Sequence, residues 1–276
     1  MTGDGNQRSA EPVVEALAEV WASLAEACEG LAAGDWDRPT DCPGWTVRDQ
    51  LSHVIGIERT LLGDPAPELE GPVPGHVRNP IGQMNEAWVD ARRRLPGPEV
   101  LAELRSVAGR RLEQLAGFGP ERFDAVGWSP VGEVPYRDFM TVRVFDCWVH
   151  EQDVRAAVGR PGGRGGAGEA ITLARVDGFL GYVLGRKVGA PEGTTAVWEV
   201  AGPLPRRIAL AVVDGRARPV DPPTRPTAGL ALEAAAYWRL ACGRTTAGAA
   251  LDGGAVTVTG DPDLARRLLE SMNVLT

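Results

Sequence analysis

Lysine is nearly absent from this 276-residue chain: of its 29 lysine and arginine residues, only Lys187 is a lysine. Histidine is almost as scarce, with His53, His76 and His150 the whole complement. The four cysteines, Cys28, Cys42, Cys147 and Cys242, nowhere form a CxxC pair, which excludes a zinc ribbon and a thioredoxin-type motif. They read as reduced thiols packed as small apolar groups. No apolar run is long enough to span a membrane, since Val13 to Leu31 is broken by Glu15, Glu19, Glu26 and Glu29. The opening MTGDGNQRSAEP is polar and carries no secretory pattern. Positive charge is also in deficit: the net charge of −8 argues against nucleic acid or an anionic membrane as a partner. What remains is 43% hydrophobic and 24% charged, an ordinary soluble globular composition. Its length suits one large or two ordinary domains, and a cytoplasmic protein is the expectation.

The first part of the chain reads as helices. Val13, Leu17, Val20, Trp21, Leu24, Cys28 and Leu31 recur at three- and four-residue spacing, predicting an amphipathic helix of about five turns. After the loop DWDRPTDCPGW, Thr46 is an N-cap candidate with Asp49 three residues on, and a second helix runs through Leu51, His53, Val54 and Ile57 to Leu61. A third is expected over Ile81 to Arg94, a fourth to about Leu115, and, beyond a Pro/Gly-rich stretch at 118–135, a last one from Tyr136 to Val158. The run PGGRGGAGE at 161–169 lacks the GK[ST] of a phosphate loop and reads as a flexible linker or a helix-to-helix connection. Thereafter a helix over Ala170–Leu184 precedes two strands, TTAVWEV and RRIALAVV, and the Asp214-Gly215 turn leads into RARPV. A helix at Leu232–Cys242, a strand AVTVTG and a helix from Pro262 to Met272 close the chain. The expected fold is α plus α+β: a helical bundle over 1–160 and a smaller α+β domain over 161–276.

The stretch DCWVHEQD, Asp146 to Asp153, carries the chemistry. Asp146 and His150 are four residues apart and share one face of a segment that is otherwise apolar or aromatic. Burying such groups costs several kcal/mol unless a counter-ion, a hydrogen-bond network or a metal satisfies them. His53 stands among apolar residues on the second helix, and ligands on facing helices of a bundle converge inward. Two imidazoles and a carboxylate form a common mononuclear metal set with an open position. A core histidine bonded to Asp146, with His53 unrelated, accounts for the same residues. HEQDV at 150–154 lacks the second histidine of a zincin.

PTDCPGWTVRDQLSHVIG (39–56), HVRNPIGQMNEAWVDARR (76–93) and VFDCWVHEQDVRAAVGRPGG (144–163) together resemble actinobacterial proteins of the mycothiol-dependent maleylpyruvate isomerase family, within the DinB-like metalloprotein superfamily. WRLACGR (238–244) and VTVTGDPDLARRLLESM (256–272) resemble that family's sterol-carrier-protein-like second domain, so the likeness spans nearly the whole chain. The resemblance implies a DinB-like four-helix bundle whose divalent metal, zinc foremost, is held by His53, Asp146 and His150. The family pattern usually has glutamate where this chain has Asp146, so an ion would sit about an ångström closer to that helix.

The resemblance also implies mycothiol as thiol cosubstrate. Metal coordination deprotonates a thiol whose free pKa is near 8.5, and the thiolate then attacks a small electrophile of the maleylpyruvate kind. The outcome is isomerisation by addition and elimination, or S-transfer if the thiol stays attached. Arg78 and Asn79, in the HVRN loop, suit a substrate carboxylate, with a surface salt bridge the competing role for the arginine. Arg244 is a further anion-binding candidate by the resemblance, reaching toward a cleft closed by the second domain, or else a partner for its own helix C-terminus. Asp49 and Asp153 are candidates to orient the imidazoles. Trp45 reads as a staple at the helix entry, and Cys42, Cys147 and Trp148 as packing residues. A metal-assisted hydrolase and a non-catalytic metal-binding regulator are the rival functions, and monomer and homodimer both stay open.

Overall fold

A computed structural model describes residues 11–274 of the chain; the polar segment 1–10, read above for targeting signals, lies outside the described residues. The chain divides into two compact units, 1–163 and 164–276.

The first unit holds α1 (Pro12–Ala27), α2 (Val47–Leu61), α3 (Pro80–Asp90), α4 (Gly97–Ala116), α5 (Pro120–Asp124), the strands β1 (Val126–Ser129) and β2 (Gly132–Pro135), and α6 (Tyr136–Val158). Helices α1, α6, α2 and α4 pack in that cyclic order as a four-helix bundle, with α3 laid against α2. Leu17 and Leu24 of α1, Leu51 and Ile55 of α2, Leu104 and Leu115 of α4, and Met140 and Trp148 of α6 fill the core. Each such side chain contributes about 1.5–3 kcal/mol by leaving water. Helix α1 ends at Ala27 rather than near Leu31, because the chain turns through Gly30 at φ +63°. Gly56 lets α2 and α3 approach closely: a Cβ there would lie 2.3 Å from Cβ of Trp88. The stretch 118–135 is not merely a connection, for it folds into α5 and a β1–β2 hairpin whose antiparallel register pairs Val126 with Pro135.

Helix α6 is the central element of the site. From Arg143 to Arg155 every residue except Asp146 is buried, so it meets protein on nearly all sides. It stops at Gly159 in the left-handed conformation, φ +68°. The glycine run that follows is tied down rather than free. Trp148 Nε1 donates to the Gly163 carbonyl at 2.8 Å, and Gln152 Nε2 to that of Gly162 at 3.1 Å.

The second unit holds α7 (Ala167–Tyr182), extended by a π-helical turn over Val183–Lys187, then β3 (Thr195–Ala201), β4 (Arg206–Val213), β5 (Arg216–Pro219), β6 (Ala228–Glu233), α8 (Ala234–Ala241), α9 (Ala247–Asp252), β7 (Val256–Gly260) and α10 (Pro262–Glu270). The sheet order is β5-β4-β3-β6-β7, antiparallel except for the parallel β3–β6 pair. Asp214 and Gly215 both take positive φ and make the tight β4–β5 turn. The predicted helix over Leu232–Cys242 is corrected. Leu232 belongs to β6, paired with Val200 and Val256, and the helix begins at Ala234. The alternation in AGLALE is weak because alanine and glycine suit either state, and pairing on both edges decides for strand.

Candidate metal centre

The site is assembled by α2, α6 and the loop before α2. Thr46 caps α2: its Oγ1 accepts from the Asp49 amide at 3.4 Å, and Asp49 Oδ2 accepts from the Thr46 amide at 2.9 Å. This start sets the rotation of α2, which places Gln50 and His53 one above the other on the face toward α6. On α6, Asp146 and His150 share the opposing face.

His53 Nε2 lies 3.1 Å from Asp146 Oδ2, and His150 Nε2 lies 3.5 Å from Asp146 Oδ1. The donor atoms of all three residues fall within 4.8 Å of one another. Tetrahedral bonds of about 2.0–2.1 Å put neighbouring donors about 3.3–3.4 Å apart, which these two separations bracket. The imidazoles meet edge to face with centroids 4.6 Å apart. Gln50 Oε1 accepts from His150 Nδ1 at 2.5 Å, while Gln50 Nε2 donates to Thr40 Oγ1, so the amide is oriented and His150 presents Nε2 inward. The donor set, its spacing and the oriented His150 ring suit a divalent ion.

Electrostatics separate the three groups. Burial drives His53 down to about 4 against the pull of Asp146, so it is a neutral donor at pH 7. Burial also opposes the charged form of His150, but Asp146 and Asp153 outweigh it and hold that imidazole above its ordinary value. Burial alone would raise Asp146, yet His53, Arg143 and His150 together hold it well below the usual carboxylate range.

Several neighbours escaped the sequence reading. Trp45 is more than a staple: its ring lies 5.0 Å from that of His53 and 5.7 Å from that of His150, roofing both. It is held there by Nε1 donating to Glu86 Oε2 at 3.0 Å, and fully buried Glu86 also binds His76 at 3.1 Å and Arg93 at 2.6 Å. Arg143 Nη1 donates to Asp146 Oδ2 at 2.6 Å. Helical spacing could have found Arg143, one turn before Asp146, and Gln50, one turn before His53. Glu86 could not be found so, because it acts across 41 residues of chain.

Of the residues singled out earlier, Asp49 is spent on the cap and an ion pair with Arg93 at 3.5 Å, not on an imidazole. Asp153 lies 3.6 Å from His150 Nδ1. Cys42, His150 and Asp153 also form a group with donor atoms within 4.8 Å. Cys147 is buried and accepts from Trp21 Nε1 and Arg143 Nη2, both at 3.3 Å, with burial pushing its thiol up to about 12. Asn79 caps α3, its Oδ1 accepting from the Gly82 amide at 2.8 Å, and Arg78 beside it is exposed. Arg244, in the second unit, donates from Nη1 to the Cys242 carbonyl at 2.9 Å.

Two uncharacterized proteins of Mycobacterium tuberculosis, MT0041 of strain CDC 1551 and Rv0036c of strain H37Rv, are each 30% identical to this chain over 132 residues. The match covers 47% of this chain and 49% of each relative, so the chain spans about half the length of the curated relatives it matches. Crystal structures of the mycothiol-dependent maleylpyruvate isomerase, and of a histidine-to-alanine mutant of it, share the fold with a TM-score of 0.56. They cover 94% of this chain and 96% of their own at 15% and 14% identity. The family model for the mycothiol maleylpyruvate isomerase N-terminal domain matches residues 17–155, half of the chain, a span that takes in His53, Asp146 and His150. The chain therefore belongs to the mycothiol maleylpyruvate isomerase family.

Proposed function

We propose that this protein is a mycothiol-dependent metalloenzyme, an isomerase or S-transferase acting on a small electrophile of the maleylpyruvate kind. The observation that carries the reading is the convergence of His53, Asp146 and His150 within 4.8 Å in a chain of this family. A divalent ion held there, zinc foremost, supplies one thing: it keeps a thiol deprotonated at neutral pH. The chain's own residues do the rest. His53 offers a neutral nitrogen, Gln50 fixes the ring of His150, Arg143 holds Asp146, and Trp45 keeps water from the imidazoles. We assign recognition of a substrate or thiol anion to Arg78, with Asn79 beside it, and to Arg244, because a guanidinium fork matches a carboxylate. A cytoplasmic location accords with mycothiol as cosubstrate, and no described helix is long and apolar enough to cross a membrane.

The test is calorimetric titration of mycothiol into zinc-loaded protein in buffers of different ionisation enthalpy. Binding with release of about one proton, abolished by His53→Ala, is the expected result. Folded, metal-loaded protein that takes up no mycothiol would remove the thiol chemistry. Turnover of esters or amides without thiol would then point to a hydrolase. A chain that loads no metal would leave Asp146 satisfied by Arg143 and the two imidazoles, and the protein non-catalytic.

A further inference from the structure

We propose that Arg143 is a positioning residue of the metal centre, holding Asp146 so that it offers a single oxygen to an ion between the two imidazoles. The inference rests on the metal reading above. Arg143 precedes Asp146 by one helical turn and is buried beside it. Its Nη1 donates to Asp146 Oδ2 at 2.6 Å, its Nε donates to Glu58 Oε1 at 2.9 Å, and its Nη2 lies 2.8 Å from that same oxygen and 3.3 Å from Cys147 Sγ. All three guanidinium nitrogens are therefore engaged.

Glu58 is anchored in turn. Its Oε2 accepts from Arg111 Nε at 3.1 Å, and Arg111 is tied to Gln114 at 2.6 Å and to the Tyr136 hydroxyl. The chain of contacts runs from α4 through α2 to α6, across three of the four bundle helices.

Two consequences follow for Asp146. A carboxylate on a short side chain turns about a broad, two-fold torsion and can offer both oxygens to one ion. Here Oδ2 already accepts from Arg143 Nη1 and lies 3.1 Å from His53 Nε2, while Oδ1 faces His150 Nε2. The rotation is stopped, and one oxygen is reserved for protein. The second consequence concerns charge. An arginine beside a cation site repels the ion, and the Glu58 carboxylate, 2.9 Å from Arg143 Nε, offsets part of that repulsion. Breaking a buried pair on one side leaves an uncompensated charge in the core, which keeps this geometry from relaxing.

The test uses the full chain, stripped of metal and reloaded with cobalt(II), with visible absorption and chelator competition as readouts. The double variant Arg143→Met/Glu58→Gln removes the guanidinium without leaving its carboxylate charged. In that folded variant, metal affinity is expected to fall by about 10–100-fold. The cobalt bands should weaken as Asp146 becomes bidentate and the coordination number rises. Arg143→Lys keeps one donor and should recover part of both. If the double variant does not fold, Glu58→Gln alone frees Arg143 and should shift both readouts the same way by less. Unchanged spectra with affinity within twofold of the parent, or tighter binding, would overturn the positioning role while leaving the metal reading intact. A parent protein that takes up neither cobalt nor zinc would overturn the metal reading itself, and the positioning role with it.

Discussion

Asp146 is one methylene shorter than the glutamate that the sequence resemblance implies at this position, and both of its oxygens have close neighbours. Arg143 Nη1 sits 2.6 Å from one oxygen, and His150 Nε2 sits 3.5 Å from the other. The extra methylene of Asp146→Glu drives the carboxylate toward the guanidinium, the ion or both. Chelator competition should therefore show weaker zinc binding, by about tenfold, in the range of losses that follow disturbance of a metal ligand's supporting contacts. Tighter binding with new thiol activity would instead mean a site decayed from glutamate.

A second prediction concerns Cys28, which burial pushes up to about 12 from an ordinary 9.0. Because the folded state disfavours the thiolate, the contribution to stability is complete below pH 9 and is lost as pH rises toward 12. Three units correspond to at most about 4 kcal/mol. Urea midpoints of the parent should fall more steeply than those of Cys28→Ala between pH 9 and 11. Parallel curves would mean that Cys28 does not resist ionisation. Buried thiols should also resist alkylation at neutral pH, leaving half-buried Cys42 to react first with iodoacetamide, as peptide mass spectrometry will show.

At the scale of elements, α2 carries His53 and Gln50 and has the most legible start. Removing its cap by Thr46→Ala should cost about 1 kcal/mol in urea unfolding. Metal affinity should fall with it, since the cap fixes the rotation that aims His53 and Gln50. Gly56→Ala should cost about 1–3 kcal/mol, because a Cβ there meets Cβ of Trp88 at 2.3 Å and α3 must shift. The bounds of α6 and the ends of α2 were readable because capping and apolar spacing are local properties. The hairpin inside 118–135 and strand β6 were not readable. Their residues are short, small or exposed, so pairing with neighbouring strands selects the conformation rather than propensity.

For the whole molecule, we propose two independently folding domains, the bundle ending within the glycine run and the sheet unit following it. The bonds from Trp148 and Gln152 to 162–163 place the first of those glycines on α6, and Arg164 and the Gly165 amide are both held by Glu169. Fragment 164–276, produced alone, should melt cooperatively with mixed helix and strand circular dichroism. An unfolded fragment would make the two units one folding domain.

Periodicity along the chain already dictated a helical bundle followed by an α+β region, and a spacing of four put Asp146 and His150 on one helix face. Those are properties of backbone geometry within a few turns, and they survive without any partner. Packing alone decided the rest. Asp146 meets His53 across 93 residues, Arg143 is caught by Glu58 across 85, and the Trp45 ring is turned over both imidazoles by Glu86. Such contacts depend on how one helix is rotated and shifted against the next, to within an ångström. The interlocked core of the whole bundle sets that quantity, and no local stretch of sequence encodes it.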